Sequence, residues 1–226
     1  MIKYYYEVIK MKITGAIFDM DGTLLNSMDY WAIAPYEYLQ SLGVEPVDNT
    51  SKRFLEDGLK SWYEQEKARY CLTVTIEEAR RGIYAIVENG YATAVRVKDG
   101  AYEMLEKLQA KGVKMCLATA TDRGTVEAVL KRLGIDKFFS RIFTCNEVGV
   151  GKREPKIYEV ALEHLGTDRE TTYVFEDAAY ALKTAFSNNF KVVGVYDKNV
   201  YASEEEIKAM CHIYLDKDSK YRLDIE

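Results

Sequence analysis

Short apolar runs alternate with helical patterns along most of the chain. We predict β-strands at ITGAIF (13–18), VKMCLA (113–118), RIFT (141–144), TYVF (172–175) and KVVGVY (191–196). Between the later runs, apolar residues recur at three- and four-residue spacing, as at Val126, Val129, Leu130 and Leu133, which predicts helices. Strands that alternate with single helices favour an α/β fold, a Rossmann-like parallel sheet with helices on both faces.

One long stretch departs from this alternation. Residues 27–96 carry helical patterns without a convincing strand, and they are rich in Tyr and Trp. Thr75 followed by Glu78 is typical of a capping box at a helix start. We interpret the stretch as an all-helical insertion, a cap. The predicted boundaries are a core of 12–26 and 97–215, a helical cap of 27–96, an N-terminal extension of 1–11 and a C-terminal tail of 216–226.

Composition narrows the classes of partner. The net charge of −5 and the pI near 5.3 argue against a nucleic-acid-binding surface and against a general attraction to anionic membranes. Apolar runs stay well short of the ~20 residues of a membrane span. The four cysteines lie far apart with no CxxC pair, which predicts reduced thiols in a cytoplasmic protein. A monomer is the default expectation.

Acidic and hydroxyl side chains gather where the predicted strands end. AIFDMDGTLL places Asp19 and Asp21 directly after the first strand. The later strands are followed by Thr119 and Thr121, by Lys152, and by Glu176 and Asp177. In an open α/β sheet, ligands bind at the carboxyl ends of the strands. We therefore expect these side chains to converge on one small region.

Four ionised carboxylates in one region repel one another. Each pair costs on the order of 4 kcal/mol at ~4 Å and an effective dielectric near 20. An all-oxygen set without histidine or cysteine suits a hard cation, and Mg²⁺ is the expected one. Because Mg²⁺ commonly binds substrate phosphates as well, a small phosphorylated metabolite is the expected ligand.

The remaining groups suit an oxyanion. Thr119 ends a predicted strand just before a helix that begins near Asp122, so the N–H groups of Ala120 and Thr121 are expected to face a phosphate. Lys152 supplies a positive charge for the phosphoryl oxygens. A carboxylate can also attack phosphorus and form an aspartyl phosphate, which divides one slow hydrolysis into two easier steps.

Four segments together resemble a known family. FDMDGTLLNS, LATATDR, GKREPKIY and VFED, in this order, are similar to the four motifs of the haloacid dehalogenase-like hydrolase superfamily. The position of the cap after the first strand resembles the branch that holds β-phosphoglucomutase- and phosphoglycolate phosphatase-like phosphatases. The resemblance runs from about residue 12 to 215.

The resemblance implies a role for each group. Asp19 is implied as the nucleophile, and Asp21 as the general acid that protonates the leaving alkoxide and then activates water. Thr119 and Lys152 are implied as stabilisers of the phosphate and of the aspartyl phosphate. The implied metal ligands are Asp19, the backbone carbonyl of Asp21, Asp177 and, directly or from an outer shell, Glu176.

Two alternatives to a Mg²⁺-dependent phosphatase stay open. Mutases of the β-phosphoglucomutase type carry a cap histidine at a place that corresponds to Trp31 here, and neither His164 nor His212 lies in the cap. A mutase is therefore disfavoured, and the presence of Asp21 favours phosphate esters over halogenated substrates. The second alternative is a phosphate- or metal-binding module without turnover.

The cap is expected to close over the strand ends and exclude water during phosphoryl transfer. SKRFLEDG (51–58) is interpreted as the cap loop that enters the site, with Arg53 as a substrate contact. A solvated loop arginine is the competing interpretation of Arg53.

Overall fold

The computed structural model describes residues 12–47 and 49–225. Within them, a parallel sheet is formed by β1 (Gly15–Phe18), β2 (Lys114–Thr119), β3 (Ile142–Thr144), β4 (Thr172–Glu176), β5 (Lys191–Val195) and β6 (Ile213–Leu215). Across the sheet the strand order is β3-β2-β1-β4-β5-β6. The five predicted strands are confirmed with small shifts at their ends, whereas β6 was missed.

The central position of β1 follows from its composition. All four of its residues are buried, as expected for a strand covered on both faces. Ala16 and Phe18 belong to one hydrophobic cluster and Ile17 to another, because successive side chains of a strand point to opposite faces. The predicted α/β architecture is therefore confirmed.

Helices connect the strands of the core, one between most strands and two between β3 and β4. They are α4 (Ala101–Ala110), α5 (Arg123–Leu133), α6 (Cys145–Val148), α7 (Lys156–Leu165), α8 (Ala179–Ser187) and α9 (Glu204–Lys208). Two 3₁₀ turns, Asp136–Phe138 and Arg169–Thr171, precede β3 and β4. Gly134 and Gly166 end α5 and α7 in the left-handed conformation that glycine favours.

The insertion after β1 is helical, as predicted. It consists of α1 (Met28–Ser41), α2 (Thr50–Tyr70) and α3 (Ile76–Thr93), which pack against one another. Trp62 of α2 is fully buried. The capping box of α3 is also confirmed, since Thr75 and Glu78 exchange backbone and side-chain hydrogen bonds. We keep the name cap for these three helices.

One prediction about the cap was wrong. Residues 51–58 form the first turns of α2 rather than a loop. Gly58 then interrupts the helix with a positive φ of 81°, so the chain kinks there. A glycine among charged residues is typical of loops, and here it marks a bend inside a helix instead.

The segment set apart as a C-terminal tail packs on the core. Tyr221, Leu223 and Ile225 are buried in the same hydrophobic cluster as β1, and the Tyr221 hydroxyl donates to the carbonyl of Thr23. The predicted N-terminal extension, 1–11, lies outside the described residues. None of the helices within 12–47 and 49–225 is long and apolar enough to cross a membrane.

Candidate active site

The parallel register of three strands creates the site. Phe18, the last residue of β1, lies opposite Leu117 of β2 and Phe175 of β4. The residues that follow therefore meet at one edge of the sheet, and the backbone N–H of Asp19 donates to the carbonyl of Phe175 (2.9 Å). Asp19 is 7% exposed. The convergence expected from the sequence follows directly from this alignment.

A buried lysine joins two of the carboxylates. The Lys152 ammonium contacts Asp19 and lies 2.5 Å from Glu176 Oε1, which also accepts from the Tyr158 hydroxyl (3.0 Å). Burial alone would lower the pKa of Lys152, but the charges of Asp19 and Glu176 raise it well above its ordinary value. Lys152 is therefore a fixed positive charge. It lies in the loop between α6 and α7.

Asp19, Glu176 and Asp177 form what we call the acidic triad. Each offers a carboxylate oxygen, and these oxygens lie within 4.8 Å of one another. All three residues are buried, so their repulsion is weakly screened. The arrangement fits a metal ion that prefers oxygen ligands, as the sequence predicted.

The electrostatics of the triad without a metal support this fit. Burial, and next the charge of Glu176, raise the pKa of Asp177 to about 8. Burial also raises the pKa of Asp19 well above its ordinary value, since one ammonium does not balance all the neighbouring carboxylates. The site therefore needs either protons or a cation to carry its charge.

Asp21 lies beside the triad but has different partners. Its Oδ1 accepts from Ser27 Oγ (2.6 Å) and from the Tyr91 hydroxyl, and its Oδ2 accepts from Thr121 Oγ1 (2.7 Å). The carboxylate of Asp21 is thus held from three sides, by Thr121 of the core, by Ser27 at the start of the cap and by Tyr91 of cap helix α3. The side chain of Asp21 is not part of the triad.

The turn after β2 departs in one detail from the sequence interpretation. Thr119, Ala120 and Thr121 all line the cavity above the triad, as expected. The N–H of Thr121, however, donates to Thr119 Oγ1 (3.1 Å) within the turn. Of the two amides expected to face a phosphate, the one of Thr121 therefore already has a hydrogen-bond partner. The hydroxyl of Thr121 donates to Asp21.

A hydroxyl group and a glycine determine the position of Asp177. Thr23 Oγ1 donates to Asp177 Oδ1 (2.9 Å). Gly22 has a φ of +76°, and a Cβ at this position would lie 2.2 Å from Asp177 Oδ2. Glycine at position 22 therefore allows both the positive φ of the turn and the close approach of the Asp177 carboxylate.

Arg53 does not lie where the sequence interpretation put it. Its guanidinium pairs with the fully buried carboxylate of Glu66, which also accepts from Thr50 Oγ1 (3.2 Å). Phe54, Leu55 and other residues of α2 line the cavity, but Arg53 does not. Residues 51–58 do reach the site, but through the apolar side chains of Phe54 and Leu55 and not through Arg53.

Tyr91 is the residue that sequence reasoning missed. Its hydroxyl donates to Asp21 and accepts from Trp31 Nε1 (2.9 Å), so a chain of hydrogen bonds links two cap helices to the acid. Burial and the charge of Asp21 raise the pKa of Tyr91 well above its ordinary value, which keeps it a donor. Nothing in the sequence separates Tyr91 from the many other aromatic residues of the cap.

The fold and the site define a hydrolase class, and the family comparison agrees. Residues 13–185 match the model of the family described as "Hydrolase: haloacid dehalogenase-like hydrolase". The chain belongs to the haloacid dehalogenase-like hydrolase family.

Curated relatives match most of the chain. A phosphorylated carbohydrates phosphatase of Thermotoga maritima is 27% identical over 177 residues, covering 76% of this chain and 80% of its own length. The validoxylamine A 7'-phosphate phosphatase of Streptomyces hygroscopicus is 28% identical over 180 residues, covering 80% of this chain and 84% of its own.

Solved structures share the fold at lower identity. CbbY from Rhodobacter sphaeroides, solved in complex with phosphate, is 22% identical with a TM-score of 0.76, over 94% of this chain and 97% of that one. A predicted phosphoglycolate phosphatase from Haemophilus somnus is 19% identical with a TM-score of 0.77, over 91% and 95%.

Proposed function

We propose that the protein is a Mg²⁺-dependent phosphatase that hydrolyses a small phosphorylated metabolite through an aspartyl phosphate on Asp19. One observation carries the proposal: a buried ammonium, Lys152, contacts Asp19, a member of the acidic triad that fits a metal ion. The phosphatase names of the two curated relatives support the same type of reaction.

The first half of the reaction uses Asp19 as the nucleophile. Its carboxylate attacks phosphorus, the ester oxygen leaves, and Asp21 delivers a proton to that oxygen. Lys152 and the hydroxyl of Thr119 hold the phosphoryl oxygens, with Ala120 beside them. Mg²⁺ held by the triad would offset the charge of the carboxylates and of the phosphoryl group.

The second half returns the enzyme to its starting state. Asp21, now ionised, takes a proton from water, and the oxygen of that water attacks the phosphorus on Asp19. The P–O bond to Asp19 breaks and inorganic phosphate leaves. Ser27, Tyr91 and Thr121 orient Asp21 through donated hydrogen bonds.

Hydrolysis is favoured over phosphosugar mutase activity. Among the described residues, no histidine lines the cavity. His164 is bonded to Ser140 Oγ (3.0 Å), and His212 Nδ1 accepts from the backbone of Val192 (3.1 Å). Trp31, at the place of the mutase histidine, supports Tyr91. The proposed cap, 27–96, therefore covers the site without supplying a second acid–base group of this kind.

The assay is hydrolysis of p-nitrophenyl phosphate by the purified full chain. We expect turnover with Mg²⁺, its loss with a chelator and its recovery when Mg²⁺ is added back. Asp19→Asn should remain folded and lose activity, whereas Asp218→Asn, at an exposed position of the C-terminal segment, should match the original protein. Full activity of Asp19→Asn would contradict the proposed nucleophile, and no turnover of any phosphate ester would support the binding module.

A further inference from the structure

The cavity above the triad has two chemically different halves. Its volume is about 250 Å³, and its floor is formed by the charged groups at the strand ends. The cap forms the opposite wall, which we call the roof. It consists of Gly58, at the kink of α2, and of side chains that are apolar or aromatic. These roof side chains are Met28, Trp31, Phe54, Leu55, Leu59 and Tyr84.

The aromatic part of the roof is interlocked. The rings of Trp31 and Phe54 stack at 6.3 Å with planes 17° apart, and Tyr84 meets Trp31 edge-on at 5.2 Å. Trp62, fully buried, packs edge-on against Phe54 at 5.6 Å. Such packing fixes the ring orientations, so the roof presents a formed apolar wall to the floor.

The arginines nearest the roof are engaged elsewhere. Arg53 is held by Glu66 within α2. Arg80 lies 3.3 Å from Asp122 of the core, with its guanidinium over the ring of Tyr84. Neither side chain lines the cavity, and each already has an anionic partner.

Within the described part of the chain, Lys152 is the one cation that lines the cavity. It lies at the floor, where it contacts Asp19 and Glu176, and it is needed there for the phosphoryl group. Arg153, its neighbour in sequence, is not among the lining residues. Its guanidinium donates to the backbone carbonyl of Glu56 (3.1 Å) and lies 4.6 Å from the centre of the Tyr180 ring. A second anionic group on the substrate would thus meet the apolar roof without a partner, which is costly.

We propose that the alcohol part of the substrate carries an apolar or aromatic face and no second anionic group. The inference rests on the proposed phosphatase function and narrows its substrate class. It disfavours phosphorylated carboxylic acids, bisphosphates and pyrophosphate. A dry cavity of about 150 Å³ is enough to hold a benzene ring, so about 250 Å³ accommodates a phosphoryl group and one ring.

A matched pair of aryl esters tests the effect of a distal charge. 4-Carbamoylphenyl phosphate and 4-carboxyphenyl phosphate have nearly the same shape, and only the second carries a distal anion. Phenyl phosphate is the reference for both. We expect kcat/KM for the carbamoyl ester to exceed that for the carboxy ester by roughly 100-fold, because the carboxylate loses its hydration against the roof. The carboxylate makes its phenol a better leaving group than unsubstituted phenol. Reactivity in solution therefore predicts that the carboxy ester is hydrolysed faster than phenyl phosphate.

A charge placed in the roof should change this preference. Leu59→Lys puts an ammonium beside the ring, and we expect the ratio of the carboxy to the carbamoyl ester to rise about tenfold. Gln40→Lys is the matched control, since it adds the same charge on an exposed position of α1 outside the cavity. The control should keep the original ratio, and an equal rise in both variants would show a general charge effect and overturn the inference.

The two proposals fail in different ways. If none of the three esters is hydrolysed with Mg²⁺ present, the phosphatase function itself is wrong. If all are hydrolysed and the carboxy ester is as good as the carbamoyl ester, the phosphatase stands and the inferred substrate class is wrong.

Discussion

Removing the metal should make the stability of the protein depend steeply on pH. Burial raises the pKa of Asp177 from 3.8 to about 8 in the metal-free site. Between these two values the folded chain binds a proton that the unfolded chain has released. The free energy of unfolding of the metal-free protein therefore falls as pH rises from about 4 to about 8.

The size of the effect follows from the displacement of this pKa. Each unit corresponds to about 1.4 kcal/mol, so a rise from pH 5 to pH 8 costs up to about 4 kcal/mol at this one group. Opening of the site to water would reduce the figure, so it is an upper value. For a chain of this length, it corresponds to a drop in Tm of roughly 10 °C. Asp19, whose pKa is also raised, acts with the same sign.

The assay is thermal unfolding followed by circular dichroism, at pH 5 to 8, with a chelator or with Mg²⁺. We expect Tm to fall with pH in the chelator and to be largely restored by Mg²⁺ at pH 8, because the cation then replaces the proton. Asp177→Asn isolates the group, since it cannot ionise. In the chelator its Tm should fall less between pH 5 and 8.

Other groups titrate in the same range, and the comparison with the variant removes them. Burial lowers the pKa of His212, so this group has the opposite sign and loses stability as pH falls. Both proteins carry His212, and its contribution cancels. Identical pH slopes for the original chain and Asp177→Asn, or no effect of Mg²⁺ at pH 8, would refute the reasoning.

Two further substitutions test the positioning of the acids. Gly22→Ala places a methyl group 2.2 Å from a triad carboxylate oxygen, and should raise the Mg²⁺ concentration needed for half activity in a metal titration; Gly43→Ala, with the same φ of +76° and open space around it, should not. Tyr91→Phe removes one of three donors to Asp21, and should lower kcat/KM for alkyl phosphates about tenfold, the value of one charge-assisted hydrogen bond. For p-nitrophenyl phosphate kcat/KM, which reports only the first half of the reaction, should fall much less, since its leaving group needs no proton. Tyr63→Phe, which loses a hydroxyl elsewhere in the cap, is the control, and equal slowing of both esters by Tyr91→Phe would indicate only structural damage.

The sequence predicted the part of the site that follows from strand ends. Asp19 and Glu176 each follow directly on an apolar run, so parallel pairing alone brings them together. Lys152 was found by its order along the chain, although the loop that carries it has no regular pattern. The strand β6 was missed because three residues carry too little periodicity to be recognised.

The cap was predictable as a helical unit but not in its contacts. Arg53 pairs with Glu66 across thirteen positions of a kinked helix, and local spacing gives no sign of such a pair. Tyr91 reaches Asp21 from 70 positions away, through the way α3 packs on the core. Contacts of this kind depend on the tertiary arrangement of the cap, which helical periodicity does not specify.

The stereochemistry at phosphorus tests the role of Asp19 most directly. The measurement uses an aryl thiophosphate made chiral with oxygen isotopes, hydrolysed by the full chain with Mg²⁺ in isotopic water. Two successive in-line displacements, first by Asp19 and then by water, each invert the configuration, so net retention is the predicted result. Net inversion would mean a single direct attack by water and would contradict an aspartyl phosphate.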